Sequence, residues 1–402
     1  MPQPSFLPEA SRASLDDVLA EELAAIDARG LRRRFRRIES AQGPLVRMDG
    51  REVVLLCSNN YLGLAGHPAV VAAAAAATNA GGAGAVSSRL ISGHMDAHAR
   101  LEERIARWKG TEAALVFSTG YQANIGVIAA LLGDGDVVVS DELNHASIID
   151  GCRLSRARVA IYRHCDVEDL RRVLAQHAGA RRVLVVTESV FSMDGDIAPL
   201  HQIAAATAEH DAWLMVDEAH GAGIFGGGGA GVVAQLGLTD RVDVQMGTLG
   251  KALGSFGASV AGSRRLIDHL INRARSFIFT TGLPPACAAA AEAALDIIEA
   301  EPQRASGVLD RARKLGLRLR SAGLDVPHVG SQILPIVIGD AARTVEVAEA
   351  LLTRGFYVAA IRPPTVPPGT SRLRLSLMAT HTAEQIAAAE GALVEVLAEG
   401  TR

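Results

Sequence analysis

From residue 113 onward, short runs of apolar residues alternate with longer segments of helical character. Residues 113–117, 136–139, 182–186 and 213–216 form such runs, and turn residues bound each of them. Strands that are apolar on both faces are typical of a parallel sheet covered by helices on both sides. We therefore predict an α/β fold with a mostly parallel central sheet and helices on both faces.

The two ends of the chain show other patterns. Residues 15–38 carry apolar positions at helical spacing and end in the basic cluster 32–37, which predicts a helical arm. A helix-rich segment from residue 299 leads into the runs 333–338 and 372–377; the second alternates, which predicts a half-exposed strand. We divide the chain into an N-terminal helical arm (1–54), a large domain (55–298) and a smaller C-terminal α+β domain (299–402).

Composition narrows the class of protein. Hydrophobic residues make up 49% and charged residues 21%, so the chain can bury a large core. A net charge of −4 gives no reason to expect nucleic acid or an anionic membrane as a partner. Residues 1–6 lack the features of a signal peptide, and the apolar run 69–77 is too short for a membrane span. Four cysteines without metal-site spacing predict no metal, and we expect a cytoplasmic enzyme.

Polar residues gather directly after the predicted strands. They occur at residues 118–120, 144–145, 192–194 and 217–220. Ligands in parallel α/β sheets bind at the carboxyl ends of the strands. We therefore expect these four loops to converge on one crevice.

The strongest chemical signal lies in residues 213–220 and the segment around Lys251. Asp217 ends an apolar run, His220 follows three residues later, and Lys251 stands among small residues. An amine can form a Schiff base with the aldehyde of pyridoxal phosphate (PLP), and a buried carboxylate can keep its pyridine nitrogen protonated. In this order and spacing, the three residues predict a PLP site.

Two other nucleotide-binding motifs must be weighed against this prediction. Residues 217–220 spell a Walker-B box, but the chain has no G-x-x-x-x-G-K-[ST] loop to accompany it. Residues 221–226 match G-x-G-x-x-G, but the glycines at 226–229 disfavour the helix which that motif must open. A nicotinamide-dependent oxidoreductase remains the alternative from a different mechanistic class.

Other candidates are ambiguous by themselves. Residues 118–124 join a strand to a helix and suit either a phosphate site or an ordinary helix cap. His145 could stack on a flat ring or simply cap a helix. Arg374, on a strand pattern, is a better candidate for binding a carboxylate than Arg362 or the arginines at 32–37, which also suit a solvated surface.

Ordered motifs along nearly the whole chain resemble those of the α-oxoamine synthases, which are fold-type I PLP enzymes. The motifs that carry the resemblance are residues 58–64, 117–121, 144–147, 190–195, 247–251 and 372–374. The resemblance implies a fold-type I PLP-dependent transferase that joins an amino acid to an acyl thioester with loss of carbon dioxide.

The resemblance also implies roles for individual residues. Lys251 would bind the cofactor and act as acid and base at Cα, Asp217 would pair with the pyridinium nitrogen, and His145 would stack on the ring. Ser192 and His220 would approach the ring hydroxyl, and Arg374 would bind the amino-acid carboxylate. The residues expected to hold the phosphate are Thr119, Gly120, Tyr121 and Thr248. Family members are homodimers, and the segment containing Thr280 resembles the one that reaches the neighbouring subunit's phosphate.

The acyl donor is less clearly specified. Residues 360–367 and 31–34 are similar to the family member that condenses L-alanine with a pimeloyl thioester, carried by coenzyme A or a carrier protein. This similarity makes Arg32, Asn59, Arg362 and Arg374 candidate substrate-binding residues. Residues 86–93 and 144–154 are closer to glycine C-acetyltransferase, and Asn60 stands where the family usually has aspartate. Glycine with a short acyl-CoA therefore stays open, as does an aminotransferase or decarboxylase on the same fold.

Overall fold

A seven-stranded sheet forms the centre of the protein in a computed structural model that describes residues 13–399. The thirteen strands of the described chain are β1 (Leu45–Met48), β2 (Arg51–Leu55), β3 (Ala113–Phe117), β4 (Val137–Asp141), β5 (Arg158–Tyr162), β6 (Val183–Glu188), β7 (Trp213–Asp217), β8 (Val244–Thr248), β9 (Ala258–Gly262), β10 (Ile333–Gly339), β11 (Phe356–Tyr357), β12 (Ala359–Ile361) and β13 (Ser371–Ser376). The central sheet has the order β3-β9-β8-β7-β6-β4-β5, and only β9 runs antiparallel to its neighbours. The prediction of a mostly parallel α/β sheet is confirmed.

Helices cover the sheet and fill the ends of the chain. In chain order they are α1 (Leu15–Ala28), α2 (Pro68–Gly81), α3 (Asp96–Lys109), α4 (Gly120–Leu131), α5 (Ala146–Leu154), α6 (Val167–Gln176), α7 (Leu200–Glu209), α8 (Val232–Gln235), α9 (Arg264–Arg273), α10 (Arg275–Ile278), α11 (Pro285–Ala300), α12 (Gln303–Ser321), α13 (Ala341–Thr353) and α14 (Ala383–Glu399). No described helix is long and apolar enough to cross a membrane. The residues assessed for a signal peptide, 1–6, lie outside the described part of the chain.

Strands β3, β4, β6 and β7 are mostly apolar because both of their faces are buried. Side chains alternate along a strand, so Val137 and Val139 join one hydrophobic cluster while Val138 joins another on the opposite face. Residues in β3, β6 and β7 divide between the two clusters in the same way. Because both faces of the sheet are packed, the carboxyl ends of the parallel strands are held in place. They can therefore position the side chains of a binding site.

Three strands of the central sheet did not stand out in the sequence. β5 lies at the edge of the sheet and is mostly exposed, so its residues need not be apolar. β8 and β9 are buried, but they are built from small and polar residues such as Gly247, Ser259 and Gly262. Their packing against neighbouring strands, rather than their hydrophobicity, makes them part of the sheet.

Two expectations for the ends of the chain were wrong in detail. The helical arm is helical only over α1, and residues 45–55 form the hairpin β1–β2, whose second strand pairs with β11. The predicted half-exposed strand is β13, and all six of its residues are buried. β13 lies between β10 and β12, and its arginines are covered because they form hydrogen bonds with the loop that follows Phe191.

Candidate active site

A cavity of about 190 Å³ lies at the carboxyl ends of β6, β7 and β8. Seven of the predicted site residues line it together: Gly120, Tyr121, His145, Asp217, His220, Thr248 and Lys251. They come from four separate segments of the chain, and the parallel sheet brings these segments to one edge. Of the four loops expected to converge, 118–120, 144–145 and 217–220 contribute residues to this cavity, whereas residues 192–194 do not line it.

Asp217, the last residue of β7, is held in one orientation. Its side chain is 4% exposed. Oδ1 accepts a hydrogen bond from the backbone N–H of Ala219 at 2.8 Å, and Oδ2 accepts one from Nδ2 of Asn124 at 2.9 Å. A buried carboxylate fixed by two donors can present negative charge to a cationic ring nitrogen without reorganising.

Lys251 differs from the other lysines of the chain, which has only three. Lys109 forms a buried ion pair with Glu218, and Lys314 is an exposed residue of α12. The amine of Lys251 makes no hydrogen bond or ion pair with any residue between 13 and 399. Burial lowers its pKa below the usual range, and Arg374 adds to this, whereas the charges of Asp217 and Glu188 act in the opposite direction. The site therefore holds one half-buried, partner-free amine with an increased neutral fraction.

His145 is fixed at the N-terminus of α5. Its Nδ1 lies 2.8 Å from Oγ of Ser147 and accepts the backbone N–H of that residue. Burial lowers the pKa of His145; the charge of Asp217 opposes this shift and that of Lys251 adds to it. The lowered pKa favours the neutral form of the ring, which suits stacking on a cationic pyridine ring.

The start of α4 forms one wall of the cavity. Thr119 caps the helix by accepting the backbone N–H of Gln122 at 3.1 Å. A Cβ on Gly120 would lie 2.9 Å from Cγ2 of Thr248, so only glycine fits between this turn and β8. Free N–H groups at a helix start beside hydroxyl groups suit a phosphate.

Two further residues predicted at the phosphate have their own partners. The hydroxyl group of Tyr121 donates a hydrogen bond to Asp150 on α5. The hydroxyl of Thr280 accepts a weak hydrogen bond from Nε2 of Gln122 at 3.4 Å, within the same chain. Thr280 thus lies beside the first turn of α4 of its own chain, and its contact with the neighbouring subunit's phosphate stays a prediction.

A network of hydrogen bonds connects His220 to Arg374. The hydroxyl of Tyr61 lies 2.7 Å from Nδ1 of His220, and Nη2 of Arg374 donates to that hydroxyl at 3.2 Å. Arg374 also donates to Oδ1 of Asn59 at 3.2 Å and to the backbone carbonyl of Ser192. Burial lowers the pKa of His220 well below its usual value, and the positive charges of Lys251 and Arg374 lower it further. No local sequence pattern indicated this role of Tyr61.

Asn124 and Glu188 are also residues that sequence analysis missed. Asn124 connects Asp217 to Ser147 through two hydrogen bonds of 2.9 Å each. Glu188 lies beside Asp217 in the sheet and accepts the backbone N–H of His145 at 2.7 Å. Burial raises the pKa of Glu188 well above its usual range, and the charge of Asp217 raises it further. The only signals in the sequence for their role were the position of Glu188 at the end of β6 and that of Asn124 on α4.

Arg32 and Arg362 do not line the cavity that contains Lys251. They line a separate groove of about 790 Å³ between the N-terminal arm and α13. The guanidinium group of Arg362 donates to the backbone carbonyls of Gly30 and Arg32, and Arg32 pairs with Asp27 at 3.1 Å. Arg362 therefore anchors the arm to the C-terminal part of the chain.

The Walker-like box has a structural explanation. Glu218 is buried and accepts hydrogen bonds from Nζ of Lys109 at 2.6 Å and from the N–H of Val233 at 3.0 Å. Gly231 lies so close that a Cβ there would be 2.1 Å from Glu218 Oε2. The glycine-rich segment 226–231 thus wraps a buried ion pair and does not open a phosphate-binding helix.

These features fit PLP. A partner-free amine, a fixed carboxylate, a histidine of lowered pKa and a helix start closely packed at Gly120 meet in one cavity. Asn124 Oδ1 is buried there without a hydrogen-bond partner among the described residues. Each feature has a counterpart among the chemical groups of the cofactor.

Comparisons with known proteins agree with this fit. The family model "Aminotransferase class I and II" matches residues 51–393. The 8-amino-7-oxononanoate synthase of Anaeromyxobacter dehalogenans is 54% identical over 387 residues, which cover 96% of this chain and 97% of the relative.

Solved structures extend the likeness to the whole fold. Serine palmitoyltransferase of Sphingomonas wittichii is 36% identical, with a TM-score of 0.91 over 97% of this chain and 100% of the other. A structure of SPT with its PLP internal aldimine is 34% identical, with a TM-score of 0.92 over the same shares. The match leaves the nicotinamide-dependent alternative without support. The chain belongs to the aminotransferase class I and II family and, within it, to the α-oxoamine synthases.

Proposed function

We propose that this chain catalyses the PLP-dependent decarboxylative condensation of L-alanine with a pimeloyl thioester. The product would be 8-amino-7-oxononanoate, an intermediate of biotin biosynthesis. The observation that carries the proposal is the single cavity in which the partner-free amine of Lys251 faces the fixed carboxylate of Asp217. The choice of substrates is supported by relatives named 8-amino-7-oxononanoate synthase that are 54% identical over nearly the full length.

Different residues of the site would bind different groups of the cofactor. Lys251 would hold the aldehyde, Asp217 the ring nitrogen, and His145 one face of the ring. His220 and Ser192 would approach the ring hydroxyl. The phosphate would be held by Thr119, Gly120, Tyr121, Thr248 and Thr280. When bound, PLP supplies an electron-withdrawing ring that stabilises negative charge at the substrate Cα.

Lys251 would move the proton. Because burial lowers its pKa, more of the amine is neutral at physiological pH and able to accept the Cα proton of L-alanine. Cα then bonds to the acyl carbon as the carbon–sulfur bond breaks, and the departing thiolate takes a proton from solvent. The carboxylate of the former amino acid then leaves as carbon dioxide. Lys251 returns the proton to Cα, so the net products are the amino ketone, carbon dioxide and the free thiol.

Arg374 would bind the carboxylate of L-alanine. Its guanidinium group is 4% exposed and is oriented by Tyr61, Asn59 and the Ser192 carbonyl. A planar donor fixed on three sides presents its remaining N–H groups in one direction, which is the geometry that carboxylate recognition needs. Holding the carboxylate would orient the Cα–H bond towards Lys251.

The distal end of the acyl chain would bind beside the N-terminal arm. Arg32 and Arg362 line the groove beside the N-terminal segment, and its positive charge suits the distal carboxylate of a pimeloyl chain. Coenzyme A and a carrier protein would both present such a chain. We also propose the three-part division 1–54, 55–298 and 299–402, a homodimer with sites at its interface, and a cytoplasmic location.

A substrate matrix tests the proposal. L-alanine, glycine and L-serine are each combined with pimeloyl-, acetyl-, succinyl- and palmitoyl-CoA, and thiol release is followed. We expect L-alanine with pimeloyl-CoA to have the highest kcat/KM. Turnover of glycine with acetyl-CoA, or of L-serine with palmitoyl-CoA, while pimeloyl-CoA stays inert would contradict the biotin assignment.

A further inference from the structure

The loop of residues 190–197 carries contacts to both arginines of β13. Its base closes through a bridge between Val190 and Ile197, and the N–H of Phe191 donates to the carbonyl of Asp196 at 3.0 Å. At its tip, the Ser192 carbonyl accepts a hydrogen bond from Nε of Arg374, and Asp194 pairs with Arg372. The position of this loop therefore sets the position of the Arg374 guanidinium.

His164 lies at the base of the same loop, after β5. Its Nε2 is 2.9 Å from Oδ2 of Asp196, and its ring contacts that of Phe191 edge-on, with centroids 4.4 Å apart. Its Nδ1 is 2.9 Å from Oδ1 of Asp141 at the end of β4. His164 thus connects the loop to a buried strand of the central sheet.

The attachment point on the sheet is itself fixed. The carboxylate of Asp141 also accepts the backbone N–H of Leu143 and of Cys165, at 2.9 Å each. Asp141, His164 and Cys165 lie close enough to hold a cation, but both ring nitrogens of His164 already face carboxylate oxygens. Both nitrogens must therefore donate, and the ring is an imidazolium bridging two carboxylates.

The charge of His164 follows from its neighbours. Burial alone would lower its pKa, but the hydrogen bonds to Asp141 and Asp196 raise the pKa of His164 to about 12. Glu142 accepts the backbone N–H of His164, and the Cys165 thiol lies 3.7 Å from Asp196. The bridge is therefore intact at physiological pH.

We propose that His164 is a positioning residue for amino-acid recognition. By tying Asp196 to Asp141, it fixes the loop of residues 190–197, so that the Ser192 carbonyl holds Arg374 in place for the substrate carboxylate. This inference rests on the proposed role of Arg374. It concerns a residue about 30 positions from Ser192 that does not line the cofactor cavity.

The test compares His164→Gln and Asp196→Asn with His201→Gln, an exposed histidine on α7. The dissociation constants of L-alanine and of PLP are measured without acyl donor, from the visible absorbance of the holoenzyme. We expect each test variant to weaken L-alanine binding about tenfold, because the guanidinium loses its fixed orientation. PLP affinity should fall less than L-alanine affinity, since Ser192 is the one proposed cofactor-binding residue on this loop and the residues that line the cofactor cavity are unchanged.

Hydrogen exchange gives a readout that does not depend on any substrate. The amide of Gly195, which donates to the Phe191 carbonyl, should exchange faster in both test variants than in the control. The double variant His164→Gln/Asp196→Asn should bind L-alanine no more weakly than either single variant. Both substitutions break the same contact, the one between His164 and Asp196.

The outcomes separate this inference from the proposed function. Unchanged exchange at Gly195 in both test variants, or additive losses in the double variant, would overturn the role of His164. Faster exchange and weaker amino-acid binding, with no condensation by the wild type, would support the positioning role while contradicting the proposed reaction.

Discussion

The hydroxyl group of Tyr61 lies 2.7 Å from Nδ1 of His220, across 159 positions of sequence. The same hydroxyl donates to Asn59 at 2.9 Å and accepts from Arg374 at 3.2 Å. A hydroxyl has one proton, so all three contacts are satisfied when His220 carries its proton on Nδ1. Nε2 of His220 is then an acceptor. Tyr61 thus connects His220, which is predicted to approach the PLP ring hydroxyl, to Arg374, which is predicted to bind the substrate carboxylate.

Replacement of Tyr61 by phenylalanine should weaken both halves of this network. Arg374 and His220 would each lose a buried partner, which costs about 1–3 kcal/mol in the free energy of unfolding. We expect KM for the amino acid to rise more than kcat falls, because Arg374 loses orientation. Steady-state kinetics with varied L-alanine check this, and an unchanged KM would show that Asn59 and the Ser192 carbonyl suffice.

Replacement of Lys109 by methionine should destabilise the fold. The ion pair with Glu218 has side-chain exposures of 1% and 0%, so the variant leaves a buried carboxylate without its partner. Loss of one partner of a buried pair costs about 3–5 kcal/mol in the free energy of unfolding. Urea unfolding measures the change.

Lys314→Met is the matched control for that variant. Lys314 pairs with Asp310 on the surface, at 59% and 45% exposure, and such pairs contribute about 0–1 kcal/mol. Equal effects of the two substitutions would contradict the structural role assigned to Glu218. Addition of Glu218→Gln to Lys109→Met should recover part of the loss, because the buried charge is removed.

The bridge at His164 predicts a pH-dependent stability. The pKa is about 12 in the folded protein and 6.5 for the unperturbed side chain. A raised folded pKa gives stability that is complete below the unfolded value and declines as pH rises towards the folded one. The free energy of unfolding of the wild type should therefore exceed that of His164→Gln by more at pH 6 than at pH 9. Urea unfolding at both pH values checks this, and a difference independent of pH would mean that His164 is neutral in the folded state.

Replacement of Arg362 by alanine should release the N-terminal arm. Its guanidinium group bonds the carbonyls of Gly30 and Arg32, so the variant should be cut faster by trypsin within residues 29–37. KM for the pimeloyl thioester should rise about tenfold, the equivalent of one charge-assisted hydrogen bond, while KM for L-alanine stays unchanged. Arg343→Ala, at a half-exposed arginine on α13, is the control. A rise in both KM values would place Arg362 in the amino-acid site.

Local sequence was sufficient for the centre of the site. Asp217 and Lys251 were predictable because each follows a recognisable segment, an apolar strand or a run of small residues, and the parallel sheet determines which edge such residues share. Thr119 and His145 were predictable for the same reason, since strand-to-helix turns mark the starts of α4 and α5.

The residues that orient this centre could not be predicted in the same way. Asn124 reaches Asp217 across 93 positions and Arg374 reaches Tyr61 across 313, so no local pattern connects them. The alternation of arginine and leucine in β13 wrongly indicated a half-exposed strand. Arg372 and Arg374 are instead buried, because the loop after Phe191 supplies their hydrogen-bond acceptors.

The most direct test of the proposed chemistry follows the carboxyl carbon of L-alanine. Holoenzyme is mixed with carboxyl-labelled L-alanine and pimeloyl-CoA, and labelled carbon dioxide and free thiol are measured for wild type and Lys251→Ala. The account predicts equal amounts of both products from the wild type, and none from Lys251→Ala even when PLP is added. Thiol release without labelled carbon dioxide, or full turnover by Lys251→Ala, would contradict it.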